Sequence, residues 1–376
     1  MKREKILVTG GGGFLGKAIV KMLIQRGDVV SSFSRNFYPE LDKMGVKQFQ
    51  GDISDYNSLE KAFIGIDMVF HVAAKAGISG RWKEYFEANV IGTENVVKAC
   101  LKNGINRLVH TSSPSVVFDG NDMEGVDESV PYPTFYHAPY PETKAMAEQI
   151  IINATSTTSR GLKTVILRPH LIWGPGDNHL LPGIIARVKR LKRVGDGNNR
   201  VDTIYIDNAA YAHILAGDKL KEEANQNNPI QNDNFQINND LKIFNKLKNE
   251  EKLKISGKLK IDTSISGNIY FISQDEPVFL WKMVDDMLDA AGLPPIKGSI
   301  SLKTAERLGS VVETIFNLFN IKKEPPMTKF MAKELATSHW FDISKAKKDL
   351  GYYPIVSTEE GLRRLKGWLG VNKQSA

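Results

Sequence analysis

Tyr140-Pro141-Glu142-Thr143-Lys144 sets a phenol and an ammonium four residues apart. In a helix both project from one face, a turn apart. Pro141 is tolerated only where such a helix begins, so Tyr140 stands at its mouth. A phenol titrating near pH 10 is a poor acid–base catalyst at neutral pH, and a neighbouring ammonium stabilises its anion. Tyr140 is therefore a candidate proton donor, with Lys144 as its activator. Upstream, Thr111-Ser112-Ser113-Pro114-Ser115 offers hydroxyls able to polarise a carbonyl oxygen. Ser113 is the first candidate there and Ser115 the fallback.

A second constellation opens the chain. Thr9-Gly10-Gly11-Gly12-Gly13-Phe14-Leu15-Gly16 follows an apolar run and precedes an amphipathic stretch. Gly10 permits a tight turn, Gly13 lets the backbone approach a pyrophosphate, and Gly16 allows close helix–strand packing, with Phe14 and Leu15 opening the helix that faces the anion. This predicts dinucleotide binding. After the second apolar run, Ser32-Phe33-Ser34-Arg35-Asn36 lacks the carboxylate that would accept from the ribose hydroxyls of NAD. Arg35 suits a 2′-phosphate, which favours NADP(H) and leaves NAD(H) as the alternative. Asp52, in Gly51-Asp52-Ile53, is placed to reach the adenine amino group, and Ala73 and Ala74 leave room for a flat cofactor.

These groups need elements to hold them. Lys5–Thr9, Val29–Ser34, Met68–Ala73, Arg107–Ser112 and Thr164–Leu167 read as strands, and Phe14–Gln25, Ser58–Ile64, Glu84–Lys102 and Pro141–Ala154 as helices. The alternation predicts an α/β fold, a Rossmann-type doubly wound parallel sheet with a smaller C-terminal substrate-binding region. The division expected is 1–168 for nucleotide binding, with core strands allowed to run on to about 210, and 169–376 for substrate. Between Asp218 and Ser266, Asn, Gln, Lys and Glu dominate, which predicts a mobile surface insertion without chemistry.

Composition sets the limits. Across 376 residues, 41% apolar and 25% charged residues are those of a globular chain. The lone Cys100 excludes a disulfide framework, and the histidines show no metal-ligand spacing, so no metal is expected. No signal-peptide core and no spanning run is evident, and a cytoplasmic enzyme is expected. The net charge of +7 concentrates at the C-terminal end: from Lys297 onward there are 14 Lys/Arg against 8 Asp/Glu. The basic run Arg187–Arg193, on a predicted helix, lacks aromatic interleaving, so nucleic acid is not an expected partner. Residues 304–321 form an apolar-rich helix, read either as a core helix or as a lid or interfacial helix touching alkyl chains or a membrane surface.

Taken together, the glycine turn, Ser113, Tyr140 and Lys144 resemble the extended short-chain dehydrogenase/reductase family. The resemblance implies a catalytic triad of those three residues, a cofactor-side role for Asn89 in Ala88-Asn89-Val90-Ile91-Gly92-Thr93, and a homodimer. Sugar-nucleotide dehydratases of the family place an acidic pair after the catalytic hydroxyl. Here Pro114-Ser115 stand instead, so dehydration is not expected. The segments Phe70–Gly77, His110–Gly120 and Leu167–Pro182, with Pro169 on the cofactor side, resemble the 3β-hydroxysteroid dehydrogenase branch. Within it they are similar to the bacterial reductases of 2-alkyl-3-oxoalkanoates in long-chain olefin biosynthesis. This implies an NADP-dependent reductase of long-chain β-keto acids, with assembly among other olefin-pathway enzymes. The alternatives are an NAD-dependent 3β-hydroxysteroid or sterol-4α-carboxylate 3-dehydrogenase, and a non-catalytic dinucleotide sensor. A cation is wanted for the substrate carboxylate, with Lys75 or His170 as candidates.

Overall fold

The alternating apolar runs become a seven-stranded parallel sheet in the computed structural model, which describes residues 3–77, 80–157, 162–226, 264–319, 321 and 325–374. Its strands are β1 (Lys5–Thr9), β2 (Val29–Ser34), β3 (Lys47–Gln50), β4 (Met68–His71), β5 (Arg107–Thr111), β6 (Lys163–Pro169) and β7 (Asn268–Ile272). They lie in the order β7-β6-β5-β4-β1-β2-β3. The order reverses between β1 and β4, and a crevice opens there at the carboxyl ends of the strands.

Strand residues are apolar on both faces because helices cover both. Ile6 and Val8 of β1 pack with Ile19 and Leu23 of α1 (Phe14–Arg26), whereas Leu7 joins Val96 and Val97 of α2 (Gly92–Lys102) and Ile150 and Ile151 of α3 (Pro139–Thr157). Cys100 is a buried packing residue in that second cluster. The first face is completed by α4 (Ile206–Gln226), whose Leu220 is buried.

Three departures from the sequence expectation have local causes. β4 stops at His71 because the amides of Val72 and Ala73 turn aside to donate to Thr9 Oγ1 at 3.2 and 3.3 Å. The helix expected over Glu84–Lys102 begins at Trp82 and carries a π-helical stretch, Phe86–Ile91, before α2. The wide turn, a distortion frequent at functional sites, aims Asn89 inward. The basic run is not helical throughout, since its helix, Leu180–Arg187, ends where the run starts; Arg193 then pairs with Asp285 at 2.8 Å.

Of the segment 218–266, residues 218–226 continue α4, and 227–263 lie outside the described residues. Glu223 of α4 accepts from the amides of Ile265 and Ser266 at 3.0 and 3.3 Å and pairs with Lys163 at 2.8 Å, so both flanks are tied to β6. β7 follows and completes the sheet, which thus draws strands from both sides of residue 168. A four-stranded sheet of Met123–Val126, Arg200–Val201, Val278–Phe279 and His339–Phe341 lies apart from it.

Candidate active site

The glycine turn sits at the crevice. Gly10 has φ +71°, and a Cβ there would meet the backbone of Ala73 at 2.9 Å. A Cβ on Gly16 would lie 2.1 Å from the Gly10 carbonyl oxygen, so α1 approaches β1 as closely as backbone allows. Gly13, the N-cap of α1, makes no side-chain cap, and no acid occupies the first turn. The first amides of α1 therefore remain available to an anion. Phe14 and Leu15 follow in that turn. The cradle fits a pyrophosphate.

Around it, Arg35 comes directly after β2, exposed, with no hydrogen bond or ion pair to the described residues. The Asp52 carboxylate accepts from Ser54 N and Oγ at 2.9 and 2.7 Å, and Ile53 packs beneath on Gly92. Ala73 and Ala74 follow β4 at the turn, and Pro169 ends β6. Asn89 is 1% exposed; its Oδ1 accepts from Lys75 N at 2.7 Å, and its Nδ2 donates to Lys75 O and Thr143 Oγ1, both at 3.1 Å. It clamps the loop after β4 to α3.

α3 starts at Pro139, with Pro139 and Pro141 both in its first turn, where their missing N–H groups cost nothing. Tyr140 emerges there. Ser113 bears on its phenol, and its ring meets Tyr85 edge-on at 6.5 Å. Ser113 Oγ lies 2.9 Å from Ser115 Oγ. Ser113 is thus the hydroxyl beside the phenol, and Ser115 stands behind it.

Lys144, one turn along, is 2% exposed. Its Nζ donates to Thr111 O at 2.6 Å and reaches His110 Nε2 at 3.4 Å. The ammonium is thereby turned to the end of β5. Burial pushes the phenol up to about 12, against a smaller lowering by the Ser113 hydrogen bond. Burial also lowers Lys144 to about 8, opposed by the charge of Glu148.

Spacing alone missed two supports. Glu148, one turn beyond Lys144, takes a buried bidentate pair from Arg168 at 2.9 and 2.7 Å and a hydrogen bond from the half-buried Tyr132 at 2.5 Å. The signal was present as a carboxylate four residues after Lys144, but its partner lies on another strand. Below the site, His71 is held between Thr9 Oγ1 and Thr93 Oγ1 at 2.8 and 3.0 Å, and its ring stands 5.1 Å from that of His110. Burial lowers His71 to about 3 and His110 well below the usual range, so neutral imidazoles floor the site.

The two carboxylate-binding candidates are otherwise engaged. Lys75 pairs with Glu84 at 3.1 Å over the Tyr85 ring. His170 packs against His339 at 4.8 Å, and burial keeps it neutral.

The model of the 3-beta hydroxysteroid dehydrogenase/isomerase family matches residues 7–247, which take in the glycine turn, Ser113, Tyr140 and Lys144. The chain belongs to this family. It is 44% identical over 366 residues to a 2-alkyl-3-oxoalkanoate reductase of Stenotrophomonas maltophilia, covering 96% of this chain and 98% of that one. A protein of the same name from Shewanella oneidensis is 44% identical over 374 residues, covering 98% and 87%. A sterol-4-alpha-carboxylate 3-dehydrogenase of Schizosaccharomyces pombe is 32% identical over the full length of both chains. The fold is that of a UDP-glucuronic acid 4-epimerase from Bacillus cereus in complex with NAD, with TM-score 0.65, 21% identity and coverage of 98% and 99%.

The chain is therefore an oxidoreductase of the extended short-chain dehydrogenase/reductase type with an NAD(P)-binding cradle, and the non-catalytic sensor is set aside. A dinucleotide held in the cradle would supply hydride exchange at its nicotinamide. Tyr140 and Lys144, one turn apart on α3, and Ser113, at the turn after β5, are the reactive groups this arrangement offers.

Proposed function

We propose that this protein is an NADPH-dependent reductase that converts a 2-alkyl-3-oxoalkanoate to its 3-hydroxy acid. The observation that carries the reading is the pair of relatives so named, each 44% identical over at least 96% of this chain. Arg35, exposed where an NAD enzyme would present a carboxylate, supports the choice of cofactor. The experiment follows NADPH and NADH consumption with a 2-alkyl-3-oxoalkanoate. NADPH is expected to win, and Arg35→Ala to cut that preference by about tenfold or more, the worth of a hydrogen bond to a charged group. NAD-dependent oxidation of a 3β-hydroxysteroid carboxylate, without reduction of the keto acid, would establish the second reading, which the 32% identical sterol dehydrogenase favours.

Contact with lipid belongs to the same reading. In α5 (Leu302–Leu318), Leu308, Val311, Ile315 and Leu318 are exposed along one face, with exposed Lys303 and Arg307 at its edge. Ala305 and Gly309 face inward, where Gly309 abuts the Thr328 backbone. An apolar stripe bordered by cations fits an anionic bilayer surface. No helix of the described residues is long and apolar enough to cross a membrane. Co-sedimentation with phosphatidylglycerol vesicles is expected, and Val311→Glu with Ile315→Glu should abolish it. Failure of the unaltered protein to sediment would remove the lipid contact.

A further inference from the structure

Three buried histidines gather at the end of β5, and their hydrogen bonds restrict where each ring carries its proton. Thr93 Oγ1 spends its hydrogen on Asn89 O at 2.6 Å, so it accepts from His71 Nε2 at 3.0 Å. Thr9 Oγ1 accepts from the amides of Val72 and Ala73, so its hydrogen goes to His71 Nδ1 at 2.8 Å. His213, on α4, donates from Nδ1 to Ala209 O at 2.7 Å and meets Thr111 Oγ1 through Nε2 at 2.9 Å. His110 is the third. A charged Lys144 has only donors, so its contact at 3.4 Å makes His110 Nε2 an acceptor and places the ring proton on Nδ1. That Nδ1 is buried without a hydrogen-bond partner among the described residues. His110 follows the fully buried Leu108 and Val109 on β5, a slot where an apolar side chain would leave no polar atom unpaired. An orphaned buried donor costs stability and calls for a role that offsets it.

We propose that His110 is a positioning residue for Lys144: its neutral imidazole accepts from the ammonium through Nε2 and, with Thr111 O, fixes where that charge stands one turn from Tyr140. This rests on Tyr140, Ser113 and Lys144 being the reacting groups of the reductase proposed above. The two acceptors are neighbours on one strand. Thr111 O takes the ammonium at 2.6 Å, and the Thr111 hydroxyl is tied to His213, so β5 presents both from a fixed backbone. A protonated His110 would lose its acceptor and set two cations 3.4 Å apart. The other titratable groups facing the pair are His71 from β4, His213 from α4, and Glu148 and Tyr140 from α3. The His71 ring stands 5.1 Å from that of His110, and its bonds to Thr9 and Thr93 keep it neutral. Burial lowers His213 to about 4, and the Glu148 carboxylate supplies the counter-charge to Lys144.

The test reads the imidazole and the lysine directly, with turnover beside them. In the unaltered protein at neutral pH, imidazole nitrogen NMR is expected to find His110 uncharged with its proton on Nδ1. A charged ring, or a proton on Nε2, would overturn the proposal without any variant. The Cε resonance of Lys144 is then titrated from pH 6.5 to 9.5 in the unaltered protein, His110→Leu and His110→Gln, and kcat is followed over the same range with NADPH and a 2-alkyl-3-oxoalkanoate. Lys144 titrates at about 8, and an acceptor favours its charged form. His110→Leu should therefore move the Lys144 titration and the alkaline decline of kcat down by about one pH unit, the worth of a hydrogen bond to a charged group. His110→Gln, whose amide oxygen can accept from the ammonium, should restore most of both. A purely structural His110 would cost stability in the variants and leave the Lys144 titration unmoved, and that result would overturn the proposal. An unaltered enzyme that reduces no β-keto acid would overturn the function above, while the Lys144 titration would still decide the role of His110.

Discussion

Tyr140→Phe is expected to lower kcat by about 10²–10⁴-fold, the usual worth of a positioned general acid. The substitution removes one oxygen and keeps the ring that lies edge-on to Tyr85, so the first turn of α3 retains its packing. On the proposed assignment, what disappears is the proton donor at the substrate oxygen. Ser113 remains, still oriented by Ser115, yet a hydroxyl that only polarises cannot replace the proton that the new alcohol needs. Dinucleotide affinity, followed by fluorescence titration, should change little, because the glycine cradle on β1 and α1 lies on other elements. A variant that keeps near-normal turnover would remove Tyr140 from the chemistry. The burial that pushes Tyr140 up to about 12 also keeps it protonated across neutral pH, the form a reductase needs.

The second large effect is expected at Glu148. Glu148→Ala leaves the Arg168 guanidinium, 1% exposed, buried without its carboxylate, and breaking such a pair costs about 3–5 kcal/mol. The Tyr132 hydroxyl loses its acceptor as well. Chemical denaturation should show the loss, and Glu148→Met combined with Arg168→Met should recover much of it, because no uncompensated charge remains. Unchanged stability in the single variant would contradict the buried pairing. Glu148→Gln tests the link to catalysis. The Glu148 carboxylate opposes the burial that lowers Lys144 to about 8, so its removal should let Lys144 fall further. Lys144 is charged below its pKa. The alkaline decline of kcat should therefore move to lower pH in Glu148→Gln, whereas a purely structural role would reduce stability without moving it.

Much of the site was legible because its chemistry is written within one turn. Gly10, Gly13 and Gly16 mark a strand–turn–helix junction, and Tyr140 and Lys144 are helical neighbours whatever surrounds them. The ends of β1 and β2 followed from apolar runs bounded by turn residues. The irregularities were not legible: the π-helical stretch at Phe86–Ile91 exists because Asn89 finds Lys75 and Thr143 across the fold, and no periodicity in its own segment announces that. Nor does sequence tell that residues 218–226 extend α4, since their polar composition hides Leu220 under the neighbouring α1.

The sequence by itself determined the fold class, the glycine turn at the first strand–helix junction and the shared helix face of Tyr140 and Lys144, because each depends on residues whose spacing fixes their relative positions. Only the tertiary structure decided what environment those groups meet. Lys144 turns to Thr111 and His110, and Glu148 meets Arg168 on β6. Burial and long-range charge set protonation states, and both are properties of neighbours that local spacing does not encode.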